Sequence, residues 1–287
     1  MRHSGYLTHL ASLTLVAAKK VPIPLPTPPD TNILDKFKPF LLMDHHLWYL
    51  CIFGYCLSVC ILARKANPGI DWYKGAVLTV LMGYGGGMTV PILLGIPGVL
   101  VQNEVAIPMM VFTWMLASSS IINSGMDALR TAAPALAFFG VVLLSIAFEI
   151  FRCQVMMGCA AMAIANLKPP ASYPVATVGP LLCGLLGGTV GGFMPLSVGL
   201  EPLSKGLNWR VRSAFFFSIW MRLLLDPTTS PYLVDMMPGL ADTAAGRAFG
   251  VAVVAALPLV DIVSGRRLAG PNPLVDLAND QFKSKRE

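Results

Sequence analysis

The sequence predicts an all-helical integral membrane protein of seven transmembrane helices, built as a 3+3 inverted repeat plus one further span. Two observations predict it. Of the 287 residues, 55% are hydrophobic and only 13% charged, where a soluble domain carries about 25% charged residues. The apolar residues also gather into runs of about 20, the length that crosses a bilayer as a helix. Two of these runs are interrupted alike. One reads Gly85-Gly86-Gly87-Met88-Thr89-Val90-Pro91-Ile92-Leu93-Leu94-Gly95-Ile96-Pro97, the other Gly191-Gly192-Phe193-Met194-Pro195-Leu196-Ser197-Val198-Gly199-Leu200-Glu201-Pro202. Interrupted spans at matching places in two halves point to a transporter or channel site; glycines that merely let helices pack closely are the simpler alternative.

In chain order, residues 1–46 form an N-terminal extension, expected to be peripheral. Its first part carries Arg2, Lys19 and Lys20 with no acid before Asp30, resembling a mitochondrial transit peptide, though short of arginine. The run Pro22 to Pro29 then makes a stiff, extended connector. The membrane domain spans 47–265. Its first span is Leu47–Ala63, anchored by Trp48 and Tyr49 and stopped by Arg64-Lys65. The second is Gly75–Val101, broken at Gly85, Gly86, Gly87 and Pro91, and the third Ala106–Ile122. The fourth has no breaker from Ala132 to Leu167, so it must tilt or project beyond a hydrocarbon core of about 30 Å. The fifth, Tyr173–Gly199, carries the second break at Gly188, Gly191, Gly192 and Pro195. The sixth is Val211–Leu225, ended by Asp226-Pro227, and the seventh Ala248–Val263. Residues 266–287 form a polar C-terminal tail, peripheral at its end. Because the broken spans are the second of each triplet, an odd repeat unit turns the second half upside down.

Basic residues orient the chain. Arg64, Lys65, Lys74, Arg130, Lys205, Arg210, Arg212, Arg266 and Arg267 fall on one side, against Lys36, Lys38, Lys168 and Arg247 on the other. That places the C-terminus on the cytosolic or matrix side. The net charge of +6 thus serves topology, and no aromatic–basic surface pattern suggests nucleic acid. The six cysteines all lie inside predicted spans and form no CxxC, so neither a disulfide framework nor a zinc site is expected.

No enzyme motif is present, and no catalytic, metal-ligating or cofactor residues are predicted. Gly83-Tyr84-Gly85-Gly86-Gly87-Met88 ends in Met and follows no strand, so it is not a dinucleotide loop. His45 and His46 stand at the mouth of the first span as interfacial residues. Intramembrane charge is the informative signal: Glu149 and Arg152, three apart on the fourth span, and Arg222 on the sixth. Ionisable groups at membrane depth are costly and mark a permeation path; the simpler alternatives are a neutralised Glu149–Arg152 pair that fixes helix register and an Arg222 that snorkels toward the interface. Gly158, Ala160, Ala161 and Ala163 add a small-residue strip for close helix approach.

These residues carry a resemblance. Gly85-Gly86-Gly87, Leu93 to Pro97, Asn103, Ile107 and Trp114 are similar to the trimeric intracellular cation (TRIC) channel family. Phe148-Glu149-Ile150-Phe151-Arg152 stands where that family has Lys-Glu-Val-x-Arg, and Gly158, Ala163, Gly184, Gly188 and Gly191 continue the match. The resemblance implies a homotrimer with a monovalent-cation (potassium) pore in each subunit, beside the second and fifth spans, in an intracellular organelle membrane. It implies a bound phospholipid, a phosphoinositide, at Arg152. Four departures weaken conduction: Phe148, Val155, Met162 and Gly187 stand where the family pattern is charged or basic. The alternative is therefore a non-conducting accessory subunit of a larger hetero-complex, in the mitochondrial inner membrane rather than the endoplasmic reticulum.

Overall fold

The computed structural model describes residues 38–42, 47–171, 173, 176–194, 207–237, 243–264 and 270–276. Pro195, His45, His46, Lys205, Arg266, Arg267 and residues 281–287 lie outside them, as does most of the N-terminal extension.

The first span is α1 (Leu47–Ala66) and the second α2 (Trp72–Leu94). Asp71 caps α2 by accepting from the amides of Tyr73 and Lys74. A one-turn helix α3 (Val99–Gln102) leads to α4 (Ala106–Ser118) and α5 (Ser120–Ala132). Next come α6 (Pro134–Asn166), α7 (Val178–Thr189) with a 3-10 turn over Val190–Phe193, and α8 (Trp209–Leu225). Two helices close the set, α9 (Ser230–Met236) and α10 (Thr243–Ser264). By length and composition α1, α2, α6 and α10 can each cross a membrane, and α4 with part of α5 makes a fifth, bent by 61°.

The 33-residue α6 is the spine. It starts on Pro134, whose missing N–H costs nothing in a first turn, and packs against α1, α7, α8 and α10. Ile52, Tyr55, Phe148, Ile150, Met156, Phe217 and Met221 form the centre of the core.

Three expectations are corrected. First, α2 is not broken at Gly85–Gly87 or Pro91: it is helical to Leu94 and stops at Gly95, whose φ of 69° is the left-handed C-cap. Pro91 withholds a donor from the carbonyl of Gly87, but one missing hydrogen bond does not end a helix whose Val90 and Pro91 are buried. Second, the third span does not run straight on to Ile122 but ends at Ser118. Ser119 has extended backbone, and α5 turns off there as a separate helix. Third, the N-terminal extension packs onto the bundle at residues 38–42, where it is described. Leu41 is buried and its carbonyl accepts from Gln154 Nε2 at 2.9 Å. Leu274 and Val275 are buried as well, and the Pro271 carbonyl takes the otherwise free amide of Trp209 at 2.9 Å.

Candidate functional site

Glycine brings α2 and α7 together. A Cβ on Gly86 would run into the Gly187 carbonyl, and one on Gly191 into the Met82 carbonyl. The two helices therefore touch backbone to backbone, which only glycine permits. Gly85 faces Val190 and Gly191, while Gly188 is wedged against Met156 and Ala214. In α2, then, the glycines predicted as a break are a contact. In α7, helical geometry tightens to 3-10 right at the contact, from Val190 to Phe193.

Beside this crossing lies a cavity of about 20 Å³, lined by Tyr55, Gly83, Gly86, Phe148, Arg152 and Arg210 among others. That is room for a single water. Tyr55 Oη donates to the Gly83 carbonyl at 2.5 Å, and its ring stacks on Phe148 with centroids 5.1 Å apart. The Arg210 guanidinium sits 4.9 Å from the centroid of the same Phe148 ring.

The predicted pair closes one wall. Arg152 donates to Glu149 Oε2 from Nε at 2.9 Å and from Nη2 at 2.5 Å. Its Nη1 reaches the Arg210 carbonyl at 3.0 Å, and its Nη2 also reaches Ser213 Oγ. Trp209 Nε1 donates to the other Glu149 oxygen at 3.1 Å. Every nitrogen of the guanidinium and both carboxylate oxygens are occupied, with Glu149 1% and Arg152 3% exposed. This ties α6 to the first turn of α8. Trp209, Arg210, Ser213 and Tyr55 were not singled out from sequence. A Trp-Arg pair at the head of an apolar run was the available signal for the first two.

Arg222 lies apart, near the other end of α8. Its Nη2 pairs with Asp226 at 2.8 Å and donates to Thr177 Oγ1 at 3.0 Å, while Nε and Nη1, both buried, have no hydrogen-bond partner. Asp226 also accepts from Tyr173 Oη at 2.7 Å and from the Thr228 amide and hydroxyl at 2.8 and 2.6 Å. Burial by itself pushes this carboxyl up. The Thr228 and Tyr173 hydrogen bonds, with Arg222, outweigh it and hold the group down at about 2.

All six cysteines are free and buried. No cluster of three or more His, Cys, Asp or Glu suited to a metal occurs among the described residues.

The solved structure of a trimeric intracellular cation channel from C. elegans, determined in the absence of Ca2+, is similar to this chain. The likeness covers 80% of this chain and 96% of that one, with a TM-score of 0.58 at 15% identity. No protein-family model matches the chain, and no curated protein matches it by sequence. The likeness establishes the fold as that of a TRIC channel.

Proposed function

We propose that the chain is a multi-pass channel of an intracellular organelle membrane that passes monovalent cations, potassium first among them, as a homotrimer. The observation that carries this reading is the polar cavity beside the α2–α7 crossing. It lies inside a fold shared with a cation channel, next to two helices whose glycines bring backbone against backbone. Carbonyl groups and bound water are the usual means of replacing an ion's hydration shell. On this reading α7 with its 3-10 turn and α8 supply the two shorter spans, giving seven, with the basic C-terminal side toward the cytosol or matrix. The cavity admits one water, so this arrangement is the shut state. A phospholipid headgroup reaching Arg152 would have to displace Ser213 or the Arg210 carbonyl.

Planar-bilayer recording of the purified chain tests the proposal. Potassium currents are expected, and Arg210→Ala, which removes a cation from the cavity wall, should raise them several-fold. Silence of both proteins across voltages and lipid compositions would end the channel reading.

One observation favours a second reading, that of a non-conducting subunit of a mitochondrial inner-membrane hetero-complex. Glu149 and Arg152 neutralise each other, and with Phe148, Val155 and Gly187 apolar or small, Arg210 is the other charged residue on the cavity wall. Native electrophoresis in mild detergent separates the two: migration in a large assembly supports this reading, and migration as a lone trimer removes it.

A further inference from the structure

Residues 270–276, the last stretch described, reach the start of α8 through the Pro271 carbonyl. Gly270 enters with a φ of 96°, the left-handed conformation, and a Cβ there would press on the Arg212 guanidinium. Asn272 then closes a short turn. Its Oδ1 accepts from the Leu274 amide at 3.1 Å, and its carbonyl accepts from the Asp276 amide at 3.0 Å. Two apolar side chains anchor the stretch, Leu274 and Val275, each 1% exposed. Leu274 joins the main core, and Val275 packs with Val141 of α6 and Ile262 of α10.

What this stretch holds is a hub. Trp209 gives its backbone amide to Pro271 at 2.9 Å and its indole N–H to Glu149. Its carbonyl accepts from the Ser213 hydroxyl at 2.6 Å, and that hydroxyl oxygen accepts from Arg152. The next residue, Arg210, takes Arg152 Nη1 on its carbonyl and sets its own guanidinium over Phe148. Arg152, Arg210 and Phe148 all line the cavity beside the α2–α7 crossing. The first turn of α8 therefore fixes one wall of that cavity. A first-turn amide has no partner within its own helix, and for Trp209 the partner comes from Pro271. The seat is also one that can be left. Two anchors provide little apolar burial to set against the backbone entropy of the ordered stretch, and Asn272 Nδ2 is buried with no hydrogen-bond partner.

We propose that residues 270–276 are an inhibitory strap. Docked, they hold Trp209 and keep the Arg152–Arg210 wall closed on the cavity. Undocked, they free the first turn of α8, and the wall opens to water from the basic side. The strap is a positioning element that acts through Trp209. It rests on the reading of this cavity as a shut passage.

A protease site placed between Ser264 and Gly270 of the full-length chain lets the strap be cut after folding, and Val155→Cys puts a thiol on the cavity wall. Reaction with a water-borne cationic methanethiosulfonate reads access to the cavity, and the six native cysteines, all buried, give the background. Cutting, combined with Leu274→Asp to undock the stretch, should raise the rate at position 155 about tenfold or more and speed amide exchange in the first turn of α8. A peptide of residues 270–287 with Leu274 intact should restore protection. Faster exchange with position 155 still protected would reduce the strap to a helix cap and overturn the proposal, as would no change in either readout. If the native cysteines react as well, the chain has unfolded, and Val275→Ala, a smaller loss of anchor, decides on the same two readouts. Neither readout is an ion current, so a chain that fails to conduct still passes or fails this test.

Discussion

Two arginine–carboxylate pairs sit in the same helical bundle and are built differently. At the basic end, Arg152 spends every nitrogen: on Glu149, on Ser213 and on the Arg210 carbonyl. Near the other end of α8, Arg222 uses one nitrogen, and its Nε and Nη1 are buried without partners. The carboxylates invert the pattern. Asp226 draws on Tyr173 and Thr228 as well as its arginine, whereas Glu149 has only Arg152 and the Trp209 indole. Removing one partner of a buried pair costs most where the survivor has nothing else. The Glu149–Arg152 pair should therefore behave as a clamp between α6 and α8, and the Arg222–Asp226 pair as a carboxylate site that happens to hold an arginine.

The sharpest break of that contrast is Glu149→Gln, which leaves the Arg152 charge uncompensated. A loss of about 3–5 kcal/mol is expected, read by thermal unfolding with a thiol-reactive dye, since all six cysteines are buried until the fold opens. The double variant Glu149→Leu/Arg152→Met should regain most of it. Gly86→Val separates packing from charge. It forces α2 off the Gly187 carbonyl, and a loss of roughly 1–3 kcal/mol or more should appear with both ion pairs intact. Arg222→Met is expected to cost less than Glu149→Gln, about 1 kcal/mol, because Asp226 keeps its Tyr173 and Thr228 bonds and two unsatisfied nitrogens disappear. A cost equal to that of Glu149→Gln would erase the distinction between the pairs.

The smallest effect is a pH dependence. The Asp226 carboxyl is held at about 2, below its ordinary value of 3.8. A depressed carboxylate stabilises the fold above its unfolded value, and that contribution is lost as pH falls from about 4 towards about 2. Asp226→Asn should flatten this part of the stability profile, lowering stability at neutral pH by roughly 1–2 kcal/mol and changing it little near pH 2.

The helices were legible in the sequence because apolar runs ending at Arg64-Lys65, Lys168-Pro169 or Asp226-Pro227 admit few other readings. Glu149 and Arg152 were legible too, since charge at that depth has to be explained. The glycines of α2 were read as a break and prove to be a contact. A glycine run is the same signal for a helix that stops and for one that is touched, and only Gly187, about a hundred residues away, decides between them. The helix α5 escaped because residues 120–132 mix Ser, Asn, Asp and Arg with their apolar residues, so no long hydrophobic run marks it. Trp209 and Ser213 gain their meaning from partners distant in the chain, Glu149 and Arg152, which no local pattern encodes.

The crossing of α2 and α7 has one more consequence. Because carbonyls meet glycine α-carbons there, the joint demands nothing of neighbouring side chains except that they stay out of the way. A few positions fix the depth and closeness at which the two helices meet, and the surrounding helix faces are free to exchange one apolar residue for another. Architecture of this kind can outlast nearly all of its sequence, as the shared fold at 15% identity illustrates. Whatever passes or fails to pass beside the joint is then set by a handful of replaceable side chains, so a pore and a plug can be built on one frame.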